Sequence, residues 1–268
     1  MDLLAAALLG VVQGLTEFLP VSSSGHLILV RAFFGWDTDR FGLAFDVACH
    51  VGTLLAVVVY FRRDVQAMVR ALPGAVSGGQ GEYEQLVRLI AAGTLPIVVV
   101  GLLLGDWLEG LRSPLVVAVT LALGGAGLII AERLGAQNRD ATTIGYGEAV
   151  ALGAAQASAL LPGISRSGAT LTLGLLLGLK RSGAARFVFL LSLPAVLAAA
   201  AREALKLREE GVEAIPVTLF AVGLTVSAVV GYLTIKFFLK YLGSHSLAVF
   251  AYYRFALAAV TVVWLATR

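Results

Sequence analysis

The chain has 268 residues, 59% of them hydrophobic and only 14% charged, with a net charge of +3 and a mean hydropathy of +0.89. A soluble domain carries about 25% charged residues, so a deficit spread along the whole length excludes that class and implies many membrane spans. The small basic excess is what the cytoplasmic loops of a membrane protein supply, so no nucleic-acid partner is expected; the single cysteine, Cys49, allows neither an internal disulfide nor a thiolate metal site.

In chain order, the N-terminus opens MDLLAAALLG, with no basic region and no clear cleavage site, and is expected to be mature structure rather than a signal peptide. Residues 3–34 are apolar but broken midway by LPVSSSGH. One straight helix there would leave unsatisfied backbone and polar groups at the bilayer centre, so a re-entrant hairpin of two half-helices is expected. Ordinary spans follow at about 43–61, 86–106 and 114–131, each near the ~20 residues that cross ~30 Å of hydrocarbon. Hydrophilic connectors occupy 62–84, 106–112 and 132–140. Residues 146–179 repeat the opening pattern, now broken by LPGISRSGAT, and spans at about 184–201, 215–235 and 247–266 complete the chain, with connectors at 202–213 and 236–246.

The two broken segments match each other. Gly10 and Gln13 correspond to Gly153 and Gln156, and Ser24-Gly25 to Ser167-Gly168, always 143 residues apart. The expected fold is therefore an all-α membrane protein, a single domain over 1–268 built from two repeats of about 1–135 and 144–268. Each half holds one hairpin and three spans. That odd number inverts the second copy, the arrangement in which paired broken helices meet near the midplane. One face collects Arg62, Arg63, Arg70, Arg133, Arg139, Lys180, Arg181, Arg186, Lys236 and Lys240; the other has Arg31, Arg40, Arg112, Arg202, Lys206, Arg208 and Arg268. The richer face is expected in the cytoplasm, with both termini outside.

Chemistry concentrates at the two breaks. Gln13 and Glu17 share a helix face, Ser22, Ser23 and Ser24 occupy the turn, and His26 falls in the first turn of the returning half-helix. Any one of these serines could simply cap a helix, but ionisable groups at membrane depth are functional suspects. In the second break, Ser165, Arg166, Ser167 and Thr170 surround a helix N-terminus. Free N–H groups there, the dipole, the hydroxyls and the guanidinium fork together make an oxyanion cradle; alternatively Arg166 only neutralises Glu17. Outside the breaks, Asp46 and His50 read as an i, i+4 polar pair supporting the site, and Arg254 as a residue snorkelling beside an aromatic belt. His245 reads as surface, and Gly124–Gly127 as a close-packing surface within the protein or between two copies.

Gln13-xxx-Glu17, PVSSSGH at 20–26 and PGISRSGAT at 162–170 together resemble the bacterial undecaprenyl-diphosphate phosphatase family, known also for bacitracin resistance. The resemblance extends over nearly the whole chain. It departs from the two-glutamate form of the first motif at Gln13, which weakens a scheme with two carboxylate metal ligands. It implies a multi-pass protein of the bacterial inner membrane that hydrolyses a C55 isoprenyl diphosphate to the monophosphate carrier reused in peptidoglycan synthesis. For that reaction Ser23 is expected as nucleophile, His26, three residues on, as base and then acid, Glu17 as orienting His26 or taking the proton itself, and Arg166 as stabilising the phosphoryl oxygens. Gln13, Ser22, Ser24, Ser165, Ser167 and Thr170 are expected to bind substrate. Two variants stay open: His26 as the nucleophile, and a divalent cation (Mg²⁺ or Ca²⁺) held by Glu17 and Gln13. No organic cofactor is expected. A homodimer and surrounding membrane lipid are the further expected partners, and a polyprenyl-phosphate transporter or flippase is the alternative function.

Overall fold

A computed structural model describes residues 2–36, 41–210 and 217–268; the expected outer-face Arg40 and the first two residues of the span expected at 215–235 lie outside the described residues. Among the described residues there are eleven α-helices, one short 3-10 turn and no β-strand. In order they are α1 (Asp2–Thr16), α2 (Ser23–Phe34), α3 (Leu43–Tyr60), α4 (Arg62–Ser77), α5 (Glu82–Glu109), α6 (Pro114–Leu134), α7 (Tyr146–Ser158), α8 (Arg166–Leu176), α9 (Arg181–Glu210), α10 (Val217–Leu242) and α11 (Ala248–Ala266).

Length sorts these helices. Five of them, α5, α6, α9, α10 and α11, are long and apolar enough to cross a membrane, and α3 with α4 makes a sixth candidate bent by 87°. By contrast α1, α2, α7 and α8 have 15, 12, 13 and 11 residues, short of the ~20 a crossing needs. They fall in two pairs, each joined by a short non-helical turn at the expected break. The helix α4 corrects the reading of 62–84 as a mere hydrophilic connector. Its sequence, RRDVQAMVRALPGAVS, buries Ala71 and Ala75 while presenting its charges elsewhere, an amphipathic pattern of low mean hydropathy that a search for apolar spans passes over.

Packing is crossed between the two ends of the chain. Helix α1 lies along α10, and α7 lies along α5. Small residues let these backbones approach closely. A methyl group built on Gly153 would lie 1.9 Å from the Gly93 carbonyl, and one on Gly14 would lie 2.7 Å from Val230. Helices α3 and α9 pack together, as do α6 and α11. The largest core cluster fills the space between them with Phe18, Phe61, Phe189 and Phe238, Phe18 meeting Phe189 edge-to-face at 5.4 Å. Outward, Leu102, Leu103, Leu134 and Val217 are largely exposed, the apolar surface expected of a chain whose solvent is lipid.

Candidate active site

The turns between α1 and α2 and between α7 and α8 share one unusual backbone. Ser22 (φ 76°, ψ 96°) caps α2 and Ser165 (φ 74°, ψ 114°) caps α8. These and Gln137 are the only non-glycine residues with positive φ among those described. Such a conformation costs on the order of 1–3 kcal/mol and persists where surroundings enforce it. Here each serine Oγ accepts from the N–H of the glycine three residues on, Gly25 at 3.3 Å and Gly168 at 3.1 Å. The caps are 143 residues apart, so Ser23 and Arg166 are the matched first residues of α2 and α8. Two helix N-termini, each with partial positive charge, thus border one cavity.

The turns are tied together. Ser167 Oγ donates to the Leu19 carbonyl at 3.0 Å, and Thr120 Oγ1 to the Pro162 carbonyl at 2.6 Å. Gly163 (φ +91°) is needed at its place, because a methyl there would lie 1.9 Å from Thr120 Oγ1. At the centre sits Arg254, fully buried. Its guanidinium donates to the carbonyls of Pro20 in the first turn, Gly163 and Ile164 in the second, and Thr120 and Leu121 in α6, at 3.0–3.2 Å. This corrects the snorkelling expectation. An arginine beside Tyr252 and Tyr253 looks like a membrane-edge residue, and nothing in the sequence marks backbone carbonyls as its partners.

Glu17, on the turn leaving α1, is the hub of the polar cluster. Its Oε2 accepts from Ser23 Oγ at 2.6 Å and from Gln13 Nε2 at 2.8 Å, and its Oε1 from Arg166. Gln13 Nε2 also donates to His50 Nδ1, which leaves Gln13 Oε1 buried without a partner. A cavity of about 320 Å³ opens on this cluster, lined by Glu17, Ser22, Ser23, Ser24, His50, Ser165 and Arg166 and walled by apolar residues of α5 and α9. It is at the small end of ligand pockets, large enough for a headgroup but not for a long chain. A hydroxyl on a carboxylate, beside a guanidinium and two helix N-termini, is equipped to bind a polyanion, remove the hydroxyl's proton and transfer a phosphoryl group.

Not every expected residue joins this group. His26 points away from Ser23: one ring nitrogen, Nδ1, donates to the Ser22 carbonyl at 2.7 Å, and the other, Nε2, accepts from Tyr253 Oη at 2.7 Å. Both nitrogens are engaged, so the carboxylate of Glu17 and not the imidazole holds the serine hydroxyl. Ser167 and Thr170 are buried, the first bonded to the other turn and the second to the Arg166 carbonyl at 2.6 Å; neither lines the cavity. Asp46 and His50 do not pair with each other. Asp46 binds Arg31 and Arg112, while His50 turns to Gln13. Gly124 and Gly125 pack inside the chain against Arg254, Ala251 and Phe255, so their close packing needs no second copy. A cation expected at Glu17 and Gln13 would have to share a carboxylate that already accepts from three donors, with the unpartnered Gln13 Oε1 as its second oxygen. No group of three His, Cys, Asp or Glu suited to a metal occurs among the described residues.

Comparison with known proteins shows the family. Residues 6–260 match the profile of the bacitracin resistance protein BacA family. The chain is 51% identical over 269 residues to an undecaprenyl-diphosphatase of Rubrobacter xylanophilus, covering 99% of each. It is 47% identical to that of Trichlorobacter lovleyi, over 96% of this chain and 94% of the other. It is 45% identical to that of Alcanivorax borkumensis, over 99% of this chain and all of the other. A helical membrane chain with two serine-capped turns, matched end to end by these proteins, belongs to the bacitracin resistance protein BacA family.

Proposed function

We propose that the chain hydrolyses undecaprenyl diphosphate to the monophosphate and orthophosphate, in the bacterial cytoplasmic membrane. The observation that carries the assignment of roles is Ser23 Oγ bonded to Glu17 at 2.6 Å while Arg166 holds the other carboxylate oxygen. Ser23 Oγ attacks the terminal phosphorus and Glu17 takes its proton. The bridging P–O bond breaks, its electron pair leaves on the lipid monophosphate, and Glu17 passes the proton to that leaving oxygen. Water then attacks the phosphoserine. Its proton goes to Glu17, the serine P–O bond breaks, and Ser23 recovers the proton. Arg166 spends only part of its guanidinium on Glu17, so its remaining N–H groups face the equatorial oxygens, with the first-turn N–H groups of α2 and α8. Ser22 and Ser165 shape the turns, Ser24 borders the headgroup, and Gln13 and His50 hold Glu17. His26 is a positioning residue on the far side of its turn. No step is assigned to Mg²⁺ or Ca²⁺.

The same reading makes α1–α2 and α7–α8 re-entrant hairpins of two inverted repeats, about 1–135 and 144–268, forming one domain. Matched caps 143 residues apart and the crossed packing of α1 on α10 and α7 on α5 support it. Arg31, Arg112 and Asp46 gather at one end of the cavity, on the face poorer in Lys and Arg, so the headgroup site opens outside. A flippase would need the anion cradle but not a serine held on a carboxylate. The test is phosphate release from farnesyl or undecaprenyl diphosphate by purified protein in detergent. Ser23→Ala and Glu17→Gln are expected to lose about 10³-fold in turnover, within the usual range for removing a nucleophile's activation, and His26→Ala less than about tenfold. Normal turnover by Ser23→Ala with an inert His26→Ala would transfer the nucleophile to His26.

A further inference from the structure

The cavity has a second polar end that the reaction does not use. Its inner end is Glu17, Ser23 and Arg166; its outer end is lined by Asp46, Arg112 and Arg202. The same cavity is lined by His50 and by apolar residues that include Leu108 of α5 and Val196 of α9. Asp46 precedes His50 by one turn of α3, about 6 Å along the axis, so the outer end lies one step beyond the side chain that contacts Gln13. Both carboxylate oxygens of Asp46 are occupied, Oδ1 by Arg31 and Oδ2 by Arg112 at 2.7 Å. Asp46 and Arg31 are nearly inaccessible, whereas Arg112 keeps 26% of its side chain exposed. Two guanidinium groups thus share one carboxylate, one on each oxygen. Arg202 completes the rim across Gly105, where a methyl group would lie 2.8 Å from its Nη1.

A hydrolysed diphosphate leaves two products of different character. The lipid monophosphate can return sideways into the bilayer, but orthophosphate must pass an apolar stretch to reach water, where an unaccompanied dianion is strongly disfavoured. We propose that the Arg112–Asp46–Arg31 rim, with Arg202, is a second phosphate site that receives orthophosphate as it leaves Arg166. Asp46 holds Arg112 in place over the cavity, and Arg112 offers the oxyanion the guanidinium edge turned away from Asp46. The proposal rests on the hydrolase reading above, since only that reaction releases orthophosphate inside the cavity.

The test is equilibrium dialysis of the purified full-length protein against ³²P-phosphate, in an Arg166→Gln background that weakens the inner site. Binding is expected to persist in that background, to weaken about tenfold when Arg112→Gln is added, as for loss of one charge-assisted contact, and to be recovered only in part by Arg112→Lys, which keeps the charge without the second guanidinium edge. Orthophosphate should also inhibit turnover of farnesyl diphosphate, with an inhibition constant about tenfold higher in the single variant Arg112→Gln. Equal phosphate binding with and without Arg112→Gln overturns the proposal, as does binding already abolished by Arg166→Gln alone. Phosphate binding that disappears in phosphatidylglycerol nanodiscs but persists in phosphatidylcholine assigns the rim to a lipid headgroup, and also overturns it. Phosphate release by the unsubstituted protein judges the hydrolase reading separately. If release occurs and the dialysis fails, only the rim falls; if release fails, the rim loses its product role even where phosphate binds.

Discussion

A buried arginine without a carboxylate partner is expensive, and Arg254 is tolerated because five backbone carbonyls surround it. Those carbonyls belong to both serine turns and to α6, so the side chain fixes the distance between the turns while adding positive charge behind them. Arg254→Met should lower stability by about 3–5 kcal/mol, the range for breaking a buried charged network, seen as a fall in the melting temperature of the detergent-solubilised protein. Arg254→Lys, with fewer donors and no planar fork, should recover part of that loss. A melting temperature unchanged in Arg254→Met would deny it the clamping role. At this scale the sequence was readable only where chemistry is local. The contact of Gln13 with Glu17 follows from a spacing of four, and the serine caps from the types of residue at the breaks. The orientation of His26 towards Tyr253 depends on how α2 is turned about its axis, which α11, more than two hundred residues away, decides.

Among the helices, apolar length carried most of the information. The six apolar stretches are helical over nearly all their described residues, and the two breaks fall where Pro, Gly and Ser cluster. What remained hidden was an amphipathic helix, α4, and the identity of each helix's neighbour, because glycine contacts have no signature until both partners are known. Gly153→Ala forces its methyl against the Gly93 backbone at 1.9 Å, whereas a methyl at Gly147, earlier on the same helix, meets nothing within 4 Å. The first should cost about 1–3 kcal/mol through overpacking of α7 on α5; the second should be neutral or slightly stabilising, since alanine favours helix over glycine by up to about 1 kcal/mol. Thermal unfolding of the two variants side by side checks this. Equal stability would mean that α7 can slide away from α5 at little cost.

For the whole molecule, the cavity mouth and the loop after α4 should lie on opposite sides of the membrane. Native Cys49 is buried, so the unsubstituted chain offers little background for labelling. Leu108→Cys, at the mouth, should react with a membrane-impermeant maleimide on intact cells after the outer envelope is opened. Ser77→Cys, exposed at the end of α4, should react only once the inner membrane is permeabilised. The opposite pattern would turn the protein over and open the site to the cytoplasm. The orientation rests on the count of Lys and Arg on the two faces.

Crossed packing also sets an order in time. Helix α1 leaves the ribosome about two hundred residues before its neighbour α10, and the guanidinium that meets Glu17 belongs to a residue 149 positions later. At roughly 5–20 residues per second that interval lasts about 7–30 s. Throughout it, Glu17 lacks Arg166, the one cationic donor among its three. The nascent first pair of helices must therefore wait at the bilayer surface or beside the insertion machinery, and can settle only when the second pair arrives.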